Sequence, residues 1–170
     1  SKIGEDCFIG CCSLQNVTLP KSLTKISNGL FWGSPFSTVV IPDSVTEINE
    51  GAFKNCTNLQ SVVFPESLTS IGWIAFRHCD ALTDVVFPKS LQKIDSSAFS
   101  ECKSLKTVTF STGMKTIHES AFESRFDENP TQLQAIYVPA KKTDYYKQRL
   151  PEKLHSLIVE LEPVKKAKKQ

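Results

Sequence analysis

Cys56-Thr57-Asn58-Leu59-Gln60-Ser61-Val62-Val63-Phe64-Pro65-Glu66-Ser67-Leu68-Thr69-Ser70-Ile71-Gly72-Trp73-Ile74-Ala75-Phe76 decides the fold, because its apolar pattern returns along the chain. Twenty-three residues on, Cys79, Leu82, Val85, Phe87, Pro88, Leu91, Ile94, Ala98 and Phe99 occupy the same positions. The apolar-Pro steps Leu19-Pro20, Ile41-Pro42, Phe64-Pro65 and Phe87-Pro88 are spaced by 22, 23 and 23 residues. Phe110-Ser111 continues the series after another 23, and Val138-Pro139 follows after 28, the added residues falling in the polar stretch 125–132. Self-similarity at a fixed period of this length is the signature of a repeat architecture.

The spacing has a physical reading. Val62 and Phe64 stand two apart, so both side chains leave one face of a strand while Ser61 and Val63 leave the other. Proline then closes the strand without a ladder donor, which predicts short strands. Leu68, Ile71, Ala75 and Phe76 supply the opposite wall of the same coil. A unit of this size cannot bury two walls alone, and stacking copies at ~4.8 Å makes one continuous core. The chain is thus expected to be a solenoid.

Composition agrees and removes other classes. The chain of 170 residues is 40% hydrophobic and 22% charged, within the globular range. Its formal charge is only +2, from 20 basic and 18 acidic residues, too small for the field of a nucleic-acid binder. No run approaches the ~18 apolar residues that suggest a membrane helix, and the first residues lack the apolar stretch of a signal peptide.

The unit C-x-x-L-x-x-V-x-F-P-x-S-L-x-x-I-x-x-x-A-F resembles the BspA-type class of leucine-rich repeats, with its Pro after the strand and its A-F-x-x-C step before the next, over roughly residues 3–139. The resemblance implies a leucine-rich repeat solenoid: a right-handed, β-rich superhelix of short strands and helical turns with a C-terminal cap. More familiar leucine-rich repeats put Asn or Cys just after the strand, where Pro stands here. The organisation expected is stacked repeats over 1–139, about five to six turns with an incomplete first one, a cap over 140–162, and a basic, disordered tail over 163–170. Ile3, Cys7-Phe8 and Cys11 align with Ile48, Ala52-Phe53 and Cys56, so the first residues lie inside a unit with no polar cap before them. Such an end exposes core, which implies upstream sequence, a covering partner or end-to-end self-association. At the other end Asp144 to Leu150 is expected as a short helix stopped by Pro151, with Leu154, Leu157, Ile158, Val159 and Leu161 closing the core.

Motifs that carry chemistry are missing. Cys11, Cys56, Cys79 and Cys102 share one repeat position, which Ser34 fills in a second unit one residue short, so they are expected as a column of buried free thiols. Cys7 takes the small Ala position, leaving Cys12 without a core role. The sequence contains no H-E-x-x-H, no phosphate-binding glycine loop and no G-x-S-x-G elbow, and His78 and His118 take positions that are polar in other units. Neither catalytic residues nor a metal or cofactor is expected.

What remains is surface. The residue between the inward Val and Phe faces out, giving the column Thr18, Val40, Val63, Val86, Thr109 and Tyr137. Three adjacent valines on an exposed face make this the leading binding patch, with Ser61 and Asp84 supplying hydrogen bonds from the neighbouring column Asn16, Thr38, Ser61, Asp84, Thr107 and Ala135. β-Branched residues also favour strands for their own packing, so the stripe has a structural reading too. Trp73 and Trp32 replace polar residues on the outer face. Trp73 is a second candidate anchor for a protein or glycan, or else a ring lying over neighbouring turns, whereas Trp32 is expected to fill the gap left near Ser34.

The function expected is a non-enzymatic binding module. The resemblance implies cell-surface or secreted adhesion to a protein or glycan of a host or neighbouring cell. The alternative is a structural spacer or an intracellular scaffold, the latter cytoplasmic because free thiols fit a reducing compartment.

Overall fold

A computed structural model describes residues 3–123 and 133–162. The polar stretch 125–132 and the basic tail 163–170 lie outside these residues. In chain order the elements are β1 (Lys25–Ile26), β2 (Thr38–Val40), β3 (Glu47–Ile48), β4 (Ser61–Val63), β5 (Ser70–Ile71), β6 (Asp84–Val86), β7 (Lys93–Ile94), β8 (Thr107–Thr109), β9 (Thr116–Ile117) and β10 (Ala135–Val138). Helix α1 (Thr143–Lys147), a 3-10 helix (Glu152–Leu157) and β11 (Ile158–Glu160) complete the fold. The strands pair in parallel: β1, β3, β5, β7 and β9 form one wall, while the other wall holds two ladders, β2 with β4 and β6 with β8, β10 and β11. The registers Glu47↔Ser70 and Thr38↔Ser61 advance by one unit, so each coil lies directly on the last. This is a β-solenoid of about six turns with little helix.

The core is built of columns. Phe8, Phe31, Phe53, Phe76, Phe99 and Phe122 stack ring on ring, with successive centroids 5.5, 5.4, 5.0, 5.1 and 5.6 Å apart. Offset stacks at this separation suit both the ring quadrupoles and the coil spacing. Phe64, Phe87, Phe110 and Tyr146 form a second column behind the even strands. The serine after each proline is explained by a third: the hydroxyls of Ser44, Ser67 and Ser90 each donate to a carbonyl of the preceding coil at 2.6 Å, those of Leu23, Val45 and Leu68.

Between the walls runs an outer segment of turns in place of the helical turns expected. Its N–H groups alternate in direction. Phe53 and Asn55 donate to Ala75 and Arg77 of the next coil at 2.8 Å, while Lys54 and Cys56 donate three residues back within their own coil. Two residues per coil take left-handed backbone to make this possible: Asp6, Gly29, Gly51, Ile74 and Ser97 at one position, and Gly10, Gly33, Asn55, His78 and Glu101 at the other. Such residues stop any helix from propagating.

The thiol column is buried at Cys56, Cys79 and Cys102 and half-buried at Cys11, and all six cysteines are free. Cys7 corrects the reading of a small core residue: it is exposed, because no described coil covers that side of the first one. Phe8, Leu14 and Val17 there are only half-buried and Ile9 is exposed. The C-terminal expectation also changes. Leu154 is buried, but Leu157 and Ile158 are half-buried and Val159 and Leu161 exposed. The reason is that β11 joins the ladder beside β10, pairing Tyr137 with Val159, so the two-residue period turns Val159 outward with Tyr137. Tyr146 and Leu150 fill the core instead. Tyr146 packs 4.9 Å from Phe110 and donates its hydroxyl to the Ser111 carbonyl at 2.5 Å. The expected helix is shorter, ending at Lys147 with Gln148 as its C-cap, and Pro151 instead caps the start of the 3-10 helix.

Candidate functional site on the strand face

The even strands display the predicted columns. Val40, Val63 and Val86 are 68%, 58% and 65% exposed, with Thr18 exposed before them and Thr109 and Tyr137 half-buried after them. In the neighbouring column Thr38, Ser61 and Asp84 are exposed and Thr107 half-buried. Ala135 corrects that column, being buried where it pairs with Thr107. The Thr107 hydroxyl donates to Asp84 Oδ1 at 2.5 Å, and this bond, with one from Thr83, holds the Asp84 carboxyl below the usual carboxylate range.

The ladder carrying these columns is broken, which the repeat pattern gave no reason to expect. Strands β2 and β4 pair, and β6, β8, β10 and β11 pair, but β4 and β6 do not. Elsewhere the Gln60 and Ser61 N–H groups reach the Ser37 carbonyl, and those of Lys106 and Thr107 reach Thr83. No such bonds run from Thr83 and Asp84 to Gln60, nor from Phe64 to Val86, where Phe87 bonds Thr109 at 2.9 Å. The same two coils stay joined on their other sides: β5 pairs β7, and Ile74, Phe76 and His78 donate to Ser96, Ala98 and Ser100 at 2.8–3.1 Å. The opening is therefore a wedge confined to the strand face.

The wedge uncovers core. Val62 and Phe64 are half-exposed, whereas their counterparts Val39, Val85, Ile41 and Phe87 are buried. A groove of about 410 Å³ results, lined by Val62, Val63, Phe64 and Val86, with Glu66 and Lys89 on its rim. Val63 and Val86 are the two lips, so the valines chosen from the sequence flank a place where the strand face opens onto aromatic core. Val62 and Phe64, read from the sequence as core, and Glu66 and Lys89, which the repeat pattern did not single out, also line the groove.

Trp73 lies apart, on the outer face, 45% exposed. Trp32 is half-buried with Lys54 Nζ 3.8 Å from its ring centre. Burial, together with the Arg77 charge, lowers the Lys54 pKa. His78 is half-buried, and desolvation first and Arg77 second lower its pKa. Among the described residues no group of His, Cys, Asp or Glu is placed to hold a metal ion, and no helix is long and apolar enough to cross a membrane.

Parallel coils of about 23 residues, an apolar column behind each wall and an open strand face define a leucine-rich repeat solenoid. The chain belongs to the family described as BspA type leucine rich repeat region, matching it in six copies over residues 1–84 and 24–148. Among solved structures it is similar to a leucine rich repeat protein of T. pallidum, with 31% identity and a TM-score of 0.71, covering 91% of this chain and 73% of that one. The fold is shared with the pneumococcal vaccine antigen PcpA at 16% identity and a TM-score of 0.66, over 88% of this chain and 42% of that one. It is shared also with a leucine-rich repeat protein of Bacteroides ovatus at 21% identity and a TM-score of 0.52, over 91% of this chain and 51% of that one. The chain thus spans about half the length of these last two. No curated protein matches its sequence.

Proposed function

We propose that this solenoid is a non-enzymatic binding module that takes a protein partner on its strand face, at the cell surface or in a secreted setting. The observation that carries the reading is the apolar strip Val40, Val63 and Val86 interrupted by a groove onto Phe64 and Val62. An exposed apolar patch with a pocket at its centre is where an aromatic or aliphatic anchor gains most from leaving water. The polar column beside it, with Ser61 and Asp84, supplies the rim. Membership of the BspA-type family supports the surface setting.

Pull-down against immobilised matrix proteins tests the proposal. Val63→Lys and Val86→Lys each place a charge at a lip of the groove and are expected to weaken capture at least tenfold without loss of fold. Capture undiminished in both variants would reject the strand face as the site.

A further inference from the structure

The second coil is one residue short, Ser34-Pro35-Phe36 standing where other units have C-x-x-L. In the structure a recess adjoins this shortened coil. Asn16–Thr18 occupies a strand position in the first coil but forms no ladder with β2, so these two coils also part on the strand side. Across the strand side of the first four coils lies this recess of about 480 Å³. Pro35 and Ser37 lie in the shortened coil, with Gln15 and Asn16 before them and Asn58 and Gln60 after, and Ala81 at the far end.

Three features set this recess apart. Four carboxamides from two coils line it, and none of its lining residues is charged, in a chain where 22% of residues are. The Asn58 side chain is drawn across it, donating to the Pro35 carbonyl at 3.4 Å. The Gln60 backbone carbonyl, beside the recess, also lacks the pair of N–H donors from the next coil that Ser37, Thr83 and Lys106 carbonyls receive.

We infer that this recess is a binding site for a neutral saccharide. A carboxamide presents one acceptor and two donors on a rigid plane, which matches vicinal hydroxyls that both give and accept hydrogen bonds. The absence of charged lining residues leaves nothing to favour a sulfated or carboxylated sugar. Pro35 and Ala81 supply small apolar patches for the C–H faces of a pyranose ring. Lining residues come from four successive coils, and three steps of ~4.8 Å make the recess roughly 14 Å long, the span of about three sugar rings. The recess shares no lining residue with the valine-lined groove.

Saturation-transfer NMR of the full chain tests the inference, using neutral trisaccharides of glucose, galactose, mannose and N-acetylglucosamine with sialyllactose as the charged comparison. At least one neutral sugar is expected to bind. The Asn58→Ala/Gln60→Ala double variant, altering two exposed side chains, is expected to weaken it tenfold or more. Insertion of one Asn between Pro35 and Phe36, which restores the repeat spacing, is expected to abolish it. Val63→Lys should leave sugar binding unchanged, which separates this site from the strand-face proposal. No transfer to any neutral sugar, tighter binding of sialyllactose, or unaltered binding by the double variant whose circular dichroism matches the parent would each overturn the assignment.

Discussion

Cys56, Cys79 and Cys102 show how a repeat position that looks chemical serves packing. Each Sγ donates to a phenylalanine carbonyl of the preceding coil, at 3.1, 3.3 and 3.2 Å for Phe31, Phe53 and Phe76. Burial pushes the Cys56 and Cys102 thiols up to about 12 from an ordinary 9.0, and Cys79 is raised by burial and by its neighbouring thiols. Because the thiolate is the nucleophile, a thiol reagent at about pH 8 is expected to modify exposed Cys7 and Cys12 promptly and these three only after unfolding. Rapid reaction of more than three thiols in native protein would contradict the burial. The folded pKa values lie above the unfolded ones, so the unfolded chain releases protons first as pH rises past 9. Stability is therefore expected to fall with pH between 9 and about 12, readable as a decreasing urea midpoint, and these thiols contribute no slope below that window.

Glu101 gives a second test at this scale. Its φ is +59°, in the position that Gly10 and Gly33 occupy in other coils. Left-handed backbone costs a non-glycine residue about 1–2 kcal/mol, partly offset by the entropy that glycine loses on folding. Glu101→Gly is thus expected to stabilise the protein by roughly 0.5–1 kcal/mol in chemical denaturation; a destabilised variant would show that the carboxylate's own contacts outweigh the strain. The glycines at 10, 29, 33 and 51 were a visible signal for these turns. Ile74 and Ser97 gave none, because a β-branched residue at φ +49° is held there only by the bonds of the coils on either side.

At the scale of the element, the repeat identifies columns and so most of the core. The Phe53, Phe76 and Phe99 positions follow from the A-F step alone. Phe76 sits between rings 5.0 and 5.1 Å away and is fully buried, so Phe76→Ala is expected to cost about 3–5 kcal/mol. The groove variant Val63→Lys, at an exposed position, should stay within about 0.5 kcal/mol. Equal losses in the two would mean that the strand face is packed. Gly113 carries a constraint of a different kind: a Cβ there would run into the Lys89 backbone carbonyl. Gly113→Ala is accordingly expected to destabilise by ~1–3 kcal/mol, since backbone must shift to admit one methyl. The sequence does not mark this glycine, because the close approach belongs to a neighbouring coil.

For the whole molecule, periodicity predicts that coils stack but not how evenly. Units carrying Val62-Val63-Phe64 and Val85-Val86-Phe87 share the same apolar frame, yet the ladder between them is open while the ladder from β6 onward is closed. Pairing of parallel coils is a property of the stack, and a repeat pattern scores each unit alone. The Phe64 and Phe87 rings at this step are 5.9 Å apart, wider than any step of the main phenylalanine column. The shortened second unit was readable as an irregularity, but the carboxamides around it gathered into a recess only through the third dimension. The candidate valines, in contrast, followed directly from alternation along each strand, and the structure adds the groove that separates Val63 from Val86.

The claim on which the strand-face proposal rests is that this ladder opens between β4 and β6 and nowhere else among β4, β6, β8 and β10. Residue-resolved hydrogen exchange measures it directly. The amides of Phe64, Thr83 and Asp84, which lack ladder acceptors, are expected to exchange at least a hundredfold faster than those of Phe87, Lys106 and Thr107, which occupy the same repeat positions and are bonded. Equal protection across the two sets would mean a continuous ladder with buried Val62 and Phe64, and would contradict the account.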